Sequence, residues 1–296
     1  MESTSILVLG ANGMLGHKLF FYLSSYANLN VHATVRSLNS LSAYCSPQLL
    51  ENVISHVQAA DISSVTRAIN QSNPDMIINC IGIVRQGPYA EDIPANITVN
   101  ALFPHQLAEI CRKRCINLLH ISTDCVFSGA KGDYSEDDVP DAGDLYGRCK
   151  LLGEPHGLNV LTLRTSIIGH EINTQYGLLE WFLAQQENIR GFTRHIFSGF
   201  PTIELARIIA AFIIPNKHIT GIYHLSSSPI TKHDLLKLVA FKYDNKIPIE
   251  PDAATSCDRS LNSDRLRTLI GFTPLPWPEM IDSMHEDYLG SSCYIR

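Results

Sequence analysis

The order of apolar and polar residues along the first half of the chain predicts strands that alternate with helices. Short apolar runs end in turns, and the stretches between them repeat apolar residues at helical spacing, as Leu15, Leu19 and Leu23 do. This spacing places side chains on one face of a helix. Strands are predicted at residues 6–9, 31–35, 53–57, 76–80, 117–122 and 160–164, and helices at 13–25, 63–70 and 94–114. Because parallel strands need crossover helices, the pattern predicts a parallel, doubly wound sheet.

Beyond the last of these strands the alternation becomes weaker. Helical patterns remain at residues 178–186, 203–214, 231–243 and 278–288, separated by stretches rich in glycine and proline. The predicted fold class is therefore α/β, with a Rossmann-type doubly wound parallel sheet and a smaller C-terminal substrate lobe. We expect residues 1–170 to form the dinucleotide-binding domain and residues 171–296 to form most of the lobe, with a return crossing of the chain allowed.

Composition narrows the classes of function. The formal net charge of −6 argues against nucleic acid as a partner, because no basic patch is available to neutralise phosphates. The 8 cysteines include no Cys-x-x-Cys pair, and no His/Cys cluster has zinc spacing, so no metal site is expected. The chain shows no signal peptide and no apolar run long enough to span a membrane. These features indicate a cytoplasmic protein with reduced thiols.

The first apolar run leads into a glycine-rich turn. Gly10, Gly13 and Gly16 follow a predicted strand and open a predicted helix. In that context one glycine allows the tight turn, one lets the backbone approach a pyrophosphate, and one packs the helix on the strand. The helix N-terminus then offers free N–H groups to the phosphates. We predict a dinucleotide site made by this turn, including Asn12, Met14 and Leu15.

The end of the second strand indicates which dinucleotide binds. An NAD site needs an Asp or Glu there to hold the ribose 2′-OH, but the chain has no acidic residue between Glu2 and Glu51. Arg36 follows instead, and a guanidinium suits a 2′-phosphate. The predicted cofactor is therefore NADPH (NADP+), although Arg36 as a solvated strand end is the simpler interpretation.

Two further strand ends are candidates for the cofactor site. Asp61, followed by Ile62, is interpreted either as a contact to the adenine amino group or as the residue that begins a helix. Cys80, Ile81 and Gly82 form a turn of small residues that would let the backbone approach the cofactor ribose.

A tyrosine and a lysine four residues apart carry the predicted chemistry. Tyr146 and Lys150 lie on one face of a predicted helix. A tyrosine is a weak acid or base near neutral pH unless a positive charge stabilises its anion, and Lys150 supplies one. Thr123, at the end of the fifth strand, is placed to hydrogen-bond a substrate carbonyl oxygen. The simpler interpretation is that Thr123 satisfies the nearby backbone. Together these residues predict the reduction of a carbonyl group.

These segments resemble the extended short-chain dehydrogenases/reductases, and among them the nucleotide-sugar reductases of the dTDP-4-dehydrorhamnose reductase type. The resemblance is carried by the glycine turn and by five collinear segments: S-T-D-C-V-F at 122–127, Y-S-E at 134–136, Y-G-R-C-K-L-L-G-E at 146–154, L-R-T-S at 163–166 and G-F-P-T at 199–202. It implies NADPH-dependent reduction of a nucleotide-activated 4-keto-6-deoxy sugar, with Thr123, Tyr146 and Lys150 as the catalytic residues. Cofactor contacts are also expected from Ser122, Tyr146, Lys150, Thr165, Ser166 and Ile167, with Lys150 on the nicotinamide ribose.

The resemblance also raises questions about individual residues. Asn100 corresponds to an asparagine assigned to a proton relay, and a helix-packing amide is the alternative. Cys125 replaces a tyrosine of the rhamnose-pathway enzyme, which leaves the identity of the sugar open. The Asp124-Cys125 pair lacks the glutamate that sister 4,6-dehydratases use, so a dehydratase is not expected. Two alternatives remain: a nucleotide-sugar epimerase, or a non-catalytic NADP-binding regulatory subunit like that of methionine adenosyltransferase.

The sugar nucleotide is expected between the strand ends and the C-terminal lobe. Thr123, Asp124, Cys125 and Tyr146 would contact it from the strand side. Arg194 and Arg207 are the candidate cations of the lobe for the diphosphate, and solvated arginines are the equally weighted alternative. The resemblance further implies a homodimer formed through the helices that carry Asn100 and Tyr146.

Overall fold

The computed structural model describes residues 3–291 and Tyr294, so Cys293 lies outside the described residues. The strands of these described residues are Thr4–Leu9 (β1), Leu29–Thr34 (β2), Val53–Ile54 (β3), Met76–Asn79 (β4), Asn117–Thr123 (β5), Val160–Thr165 (β6), Ile167–Ile168 (β7), Ile189–Phe192 (β8), His195–Phe197 (β9), Phe200–Pro201 (β10), Gly221–His224 (β11), Ile230–Thr231 (β12), Ile249–Asp252 (β13) and Cys257–Asp258 (β14).

The α-helices are Met14–Ser24 (α1), Asn39–Ser42 (α2), Pro47–Leu50 (α3), Ile62–Ser72 (α4), Ile93–Asn96 (α5), Phe103–Arg114 (α6), Leu145–Leu152 (α7), Leu178–Leu183 (α8), Thr202–Ile208 (α9), Lys232–Lys242 (α10), Asp264–Ile270 (α11) and Trp277–Gly290 (α12). Two π-helical segments, Ile97–Leu102 and Ile209–Ile213, and two short 3₁₀ turns, Asp124–Val126 and Ile214–Asn216, complete the helical structure of the described residues. Within these residues, no helix is long and apolar enough to cross a membrane.

Seven strands form one parallel sheet in the order β11-β6-β5-β4-β1-β2-β3. This is the doubly wound order, in which the direction of winding reverses between β1 and β4. The predicted fold class is thus confirmed. The reversal leaves a crevice at the carboxyl ends of these two central strands, where ligands of such sheets bind.

The central strand β1 is buried on both faces. Ile6 and Val8 contribute to the largest apolar cluster, which includes α1 and α9. Leu7 and Leu9 contribute to a second cluster beneath α4 and α6. Side chains alternate between the two faces of a strand. A continuous apolar run is therefore what a strand between two helical layers requires.

The C-terminal half adds three small sheets around the same core. They pair β10 with β7, β13 with β8, and β9 with both β12 and β14. The chain also returns to the main sheet, because β11 pairs with β6. Residues from both sides of position 170 pack in the largest apolar cluster.

Several predicted elements differ in extent from those observed. The helix predicted at 203–214 is divided into α9, a π-helical segment and the start of a short 3₁₀ turn. The strand predicted at 53–57 is only two residues long, because His56 has the left-handed φ of 59°, which ends regular pairing. The helix predicted at 94–114 is divided into α5, a π-helical segment and α6. Extra residues of this kind in a helix are common at functional sites, and this segment contains Asn100.

Candidate functional site

The carboxyl ends of β1, β4, β5 and β6 lie side by side in the main sheet. The predicted site segments follow these strands directly, at Gly10, Cys80, Asp124 and Ser166. Helix α7, which carries Tyr146 and Lys150, packs against β5. The fold therefore brings the glycine turn, three strand ends and the Tyr–Lys helix to one edge of the sheet.

The glycine turn is shaped by close backbone approaches. A Cβ atom on Gly16 would lie 2.1 Å from the carbonyl oxygen of Gly10, so only glycine lets α1 pack this close to β1. Gly10 itself has a φ of 84°, in the left-handed region. Gly13 caps α1 without a side-chain hydrogen bond, and the first turn contains no acidic residue. The N–H groups at the start of this eleven-residue helix are thus free to face an anion.

The three other residues predicted for this turn differ in burial. Asn12 and Met14 are half-buried, whereas Leu15 is buried in the core. A Cβ atom on Gly177 would lie 2.3 Å from the methyl carbon of Met14. The loop before α8 therefore covers the start of α1.

The second strand ends beside this turn, and the third strand pairs with the second. Arg36 follows β2 and is exposed, and β2 is joined to the turn by a hydrogen bond from Gly10 N to the hydroxyl oxygen of Thr34, 3.2 Å long. Asp61 accepts a hydrogen bond of 3.0 Å from Ser63 N and caps α4. Asp61 thus begins a helix, as one of its two interpretations states, while its contact to adenine, with Ile62, stays a prediction.

The turn after β4 is held by Asn100. The Asn100 amide accepts a hydrogen bond from Ile83 N at 2.9 Å and donates one to the carbonyl oxygen of Ile83 at 3.0 Å. A Cβ atom on Gly82 would lie 3.3 Å from the same amide oxygen. Asn100 therefore positions the turn that includes Cys80 and Ile81, which agrees with the packing interpretation of this amide.

Thr123 ends β5 and caps the short turn that follows. Its hydroxyl accepts a hydrogen bond from Cys125 N at 3.1 Å and donates one to Asp124 Oδ1 at 3.2 Å. The Asp124 carboxyl is buried, which raises its pKa. Burial also raises the pKa of the Cys125 thiol to about 12, so this thiol is protonated at neutral pH.

Helix α7 approaches this turn through a glycine. A Cβ atom on Gly147 would lie 2.2 Å from the carbonyl oxygen of Cys125. The preceding residue, Tyr146, is half-buried, and its removal from water raises the pKa of its hydroxyl. A hydrogen bond with the Thr123 side chain acts in the opposite direction. The tyrosine hydroxyl and the threonine hydroxyl are thus brought together, with the tyrosine in its protonated form.

Lys150 lies one turn further along α7, with 5% of its surface exposed. Its ammonium donates a hydrogen bond of 2.8 Å to the carbonyl oxygen of Ile121. Burial lowers the pKa of Lys150 to about 8, while the charge of Glu154 acts to raise it. Lys150 is therefore a cation that loses its proton just above neutral pH.

The remaining predicted cofactor residues lie at the ends of β5 and β6. The Ser122 hydroxyl donates a hydrogen bond of 2.6 Å to Glu154 Oε1, so its side chain faces the interior. Thr165 is buried, and Ser166 accepts a hydrogen bond of 2.9 Å from Phe200 N. Ile167 begins β7, which pairs with β10.

The two arginines predicted for the diphosphate lie in different surroundings. Arg194 is exposed between β8 and β9, in the C-terminal lobe. Arg207 lies on α9, ion-paired with Glu204, and donates a hydrogen bond of 3.1 Å to Ser283 on α12. Because α9 packs along α1 and Arg207 also contacts Tyr22 near the far end of that helix, its contacts do not support the prediction that it binds substrate.

An arginine that was not predicted from the sequence approaches the turn after β5 instead. Arg259 follows β14 and donates a hydrogen bond of 2.7 Å to the carbonyl oxygen of Phe127, and its guanidinium lies 3.8 Å from Cys125 Sγ. Burial raises the pKa of Asp124, and the charges of Arg259 and Lys232 act against that rise. Burial lowers the pKa of His195, and the same two charges act in the same direction. The lobe thus presents two cations and a histidine towards the end of β5. In the sequence, Arg259 is marked only by its place in a polar stretch, residues 255–265, that lacks helical periodicity.

Among residues 3–291 and Tyr294, no group of three or more His, Cys, Asp or Glu side chains is arranged to hold a metal ion. The site consists of a glycine turn, a Thr–Tyr–Lys trio and a cationic wall. This fold and site define an extended short-chain dehydrogenase/reductase. Residues 4–289 match the family model described as the RmlD substrate binding domain, and the chain belongs to that family.

Three known proteins illustrate the likeness. The dTDP-4-keto-6-deoxy-D-glucose reductase of Streptomyces niveus is 33% identical over 156 residues, which are 52% of this chain and 48% of that protein. The match thus spans about half the length of that relative. Methionine adenosyltransferase 2 subunit beta of Rattus norvegicus is 24% identical over 95% of this chain and 90% of its own. The crystal structure of dTDP-4-dehydrorhamnose reductase from Bacillus anthracis, in complex with NADP, has a TM-score of 0.78 at 18% identity, covering 96% of this chain and 99% of that one.

Proposed function

We propose that this protein is an NADPH-dependent reductase of a nucleotide-activated 4-keto-6-deoxy sugar, in the synthesis of precursors for polysaccharides or glycoconjugates. The observation that carries the proposal is the position of Thr123, Tyr146 and Lys150 at the sheet edge that also holds the glycine turn. The names of relatives such as the Streptomyces niveus reductase support the same chemistry.

The residues present fit NADPH. The approach of Gly16 to Gly10 leaves no space for a side chain, and the start of α1 offers uncapped N–H groups for the pyrophosphate. Arg36 at the end of β2 would hold the 2′-phosphate by charge-assisted hydrogen bonds. Lys150 would hold the nicotinamide ribose. The strand ends at 80–82 and 165–167 would approach the ribose and nicotinamide. When bound, NADPH supplies the hydride that reduces the carbonyl carbon.

The trio handles the carbonyl oxygen and its proton. The Thr123 hydroxyl would donate a hydrogen bond to the carbonyl oxygen and stabilise the negative charge that develops there. Tyr146 is protonated at neutral pH, since its pKa is raised, and it would donate its proton to that oxygen. The Lys150 ammonium would then stabilise the tyrosinate left behind. With its pKa lowered to about 8, Lys150 also lies in the range where it can return the proton.

The substrate would bind between the trio and the C-terminal lobe. Asp124 and Cys125 would contact the sugar next to Thr123. The diphosphate would be held by Arg259 and Lys232, whose charges already act on Asp124, with exposed Arg194 as a further candidate. In this proposal residues 1–170 bind the cofactor, and residues 171–296 supply most of the substrate wall.

We also infer a homodimer through the helices next to the site. Ile97 and Leu102 on the π-helical segment are 47% and 49% exposed, and Leu152 at the end of α7 is 66% exposed. His105 joins the two helices by a hydrogen bond of 2.7 Å to the carbonyl oxygen of Leu152. A second copy of the chain would cover this apolar face. Comparing the sedimentation of the Leu152→Glu variant with that of the unchanged protein tests the proposed homodimer.

A second candidate function rests on the likeness to methionine adenosyltransferase 2 subunit beta, which extends over 95% of this chain. A regulatory subunit would bind NADP without turning over a sugar. Binding alone does not require a buried lysine beside a tyrosine and a threonine, so the trio favours the reductase. An epimerase would use the same trio with tightly retained NAD, and the lack of an acidic residue after β2 disfavours this cofactor.

The experiment that tests the proposal mixes the protein with NADPH and a panel of 4-keto sugar nucleotides and follows the loss of NADPH absorbance. A reductase consumes NADPH with at least one keto sugar and forms a deoxysugar nucleotide. NADP binding without turnover across the panel, together with altered activity of an added methionine adenosyltransferase, would support the regulatory function instead. Interconversion of sugar epimers without net NADPH loss would support the epimerase.

A further inference from the structure

A buried carboxylate lies behind the Tyr–Lys helix and has no part in the mechanism described above. Glu154 follows the end of α7, four residues after Lys150, and is 4% exposed. Its Oε1 accepts hydrogen bonds from the Ser122 hydroxyl at 2.6 Å and from Arg164 Nε at 2.9 Å. Its Oε2 accepts a third from Arg164 Nη2 at 2.8 Å. Both oxygens of the carboxylate are thus held in fixed directions.

These bonds connect the end of α7 to two strands of the sheet. Ser122 and Arg164 are register partners on β5 and β6. Ser122 also lies between Ile121, which accepts the hydrogen bond of Lys150, and catalytic Thr123. Movement of Glu154 would therefore displace the helix that carries the lysine relative to the strand that carries the threonine.

Arg164 is itself fixed from the other side. Its Nη1 lies 3.3 Å from His224 Nε2, and its guanidinium carbon lies 5.3 Å from the centre of the Phe127 ring. The His224 ring in turn lies 2.9 Å, through Nδ1, from the carbonyl oxygen of Tyr134. Because Arg164 is anchored at β11 and at the turn after β5, the ion pair gives Glu154 a rigid support.

Glu154 also contributes charge. The titratable and charged groups around Lys150 are Glu154 after α7, Cys80 after β4 and His120 on β5, with Arg164 on β6 behind Glu154. Burial raises the pKa of Cys80 to about 12 and lowers the pKa of His120 well below its usual value, so both are neutral near pH 7. Glu154 is thus the anion that opposes the loss of the Lys150 proton.

We propose that Glu154 is a positioning residue, which holds α7 in register with β5 and keeps Lys150 protonated at the pH where the enzyme works. The proposal rests on the proposed function, in which Lys150 serves the tyrosine and the cofactor. Its physical basis is a fixed carboxylate one helical turn from a buried ammonium, where an opposite charge favours the charged form.

The test is a titration of Lys150 by NMR in protein carrying ¹³C-labelled lysine, with the Lys150 signal assigned by Lys150→Met. Glu154→Gln keeps an acceptor for Ser122 and removes the negative charge. We expect the pKa of Lys150 to fall by roughly one unit. NADPH turnover should then fall about twofold at pH 7 and about fivefold at pH 8, in proportion to the protonated fraction of Lys150. The titration needs no substrate, so it remains decisive if no keto sugar is turned over.

Two further variants separate positioning from stability. Glu154→Gln leaves Arg164 buried without its anion, which can prevent folding. If the single variant does not fold, the titration uses the double variant Glu154→Gln with Arg164→Gln, in which two amides replace the ion pair. Glu180→Gln is the matched control, because it removes a buried carboxylate that pairs with His170 at 2.7 Å and is not among the charges acting on Lys150. We expect the control to lower the melting temperature and leave the Lys150 titration unchanged. An unchanged Lys150 titration in the folded Glu154 variants would overturn the proposal.

Discussion

The Lys150 ammonium donates a hydrogen bond of 2.8 Å to the carbonyl oxygen of Ile121, two residues before Thr123 on the same strand. One contact thus links the lysine of α7 to the strand that ends in the threonine. It also satisfies one donor of a lysine that is almost fully removed from water. The remaining two donors are available to the ribose and the tyrosine in the proposed mechanism.

The first prediction concerns the pH dependence of reduction. The pKa of Lys150 is lowered to about 8, so the charge that stabilises the tyrosinate is present below that pH and lost above it. We expect kcat/KM for the keto sugar to fall as the pH rises through about 8. Steady-state rates across this range provide the measurement. Lys150→Met should lose most of the turnover and also the fall in kcat/KM near pH 8. Lys113→Met, at an exposed lysine, should keep both the turnover and this pH dependence. A rate that stays level well above pH 8 would contradict this role.

The second prediction concerns cofactor choice. Arg36 is exposed after β2, where a 2′-phosphate would lie. Arg36→Ala should weaken NADPH binding by roughly 1–3 kcal/mol, the cost of a lost charged hydrogen bond, and leave NADH binding unchanged. Fluorescence titration with both cofactors measures this, and Arg190→Ala on β8 is the control. Equal affinity of the unchanged protein for NADH and NADPH would rule out a 2′-phosphate site.

The third prediction concerns the diphosphate. Arg259→Ala should raise the KM for the sugar nucleotide about tenfold or more, because a charged hydrogen bond is lost, with NADPH affinity unchanged. Arg207→Ala is the matched control, since Arg207 is paired with Glu204 on α9. Arg194→Ala tests the exposed arginine of the same lobe. If Arg259→Ala keeps a normal KM and a normal melting temperature, the diphosphate is held elsewhere.

The fourth prediction concerns stability in acid. His17 is buried between the carbonyl oxygen of Gly13, at 2.8 Å, and the Tyr294 hydroxyl, at 2.6 Å. Burial lowers its pKa from 6.5 to about 3, so below pH 6.5 the unfolded chain takes up a proton that the folded chain does not. This difference in proton uptake by His17 should lower the free energy of unfolding by about 2 kcal/mol between pH 6.5 and about pH 5.

Urea unfolding at several pH values measures this contribution. His17→Gln should be less stable near neutral pH, but its stability should decline less steeply towards acid. His56→Gln, at an exposed histidine, is expected to decline as the unchanged protein does. Parallel curves for His17→Gln and the unchanged protein would show that His17 does not take up its proton on unfolding.

The central sheet and the trio could be predicted from the sequence because both depend on local spacing and strand order. Tyr146 and Lys150 share a helix face, and Thr123 ends a strand whose place in a doubly wound sheet follows from the alternation of elements. The close approach of Gly16 to Gly10 could also be predicted, because a glycine turn that opens a helix requires this contact.

The substrate wall could not be predicted in this way. Arg259 reaches Cys125 across 134 positions of the chain, through the pairing of β14 with β9 and the packing of the lobe on the turn after β5. No periodic pattern in the sequence predicts such a contact. Arg207, by contrast, lies close in sequence to the G-F-P-T segment but on a helix that directs it to α12. The role of Glu154 likewise depends on the register of β5 and β6.

The most direct test of the central claim is NADPH oxidation by the unchanged protein and by Tyr146→Phe, with the keto sugar that the panel identifies. The substitution keeps the ring and removes the proton donor beside Thr123. We predict a loss of turnover on the order of 10²–10⁴-fold, with NADPH affinity and melting temperature retained, and near-normal turnover for Tyr243→Phe, whose hydroxyl contacts His170 at 2.8 Å. Normal turnover by Tyr146→Phe would contradict the account.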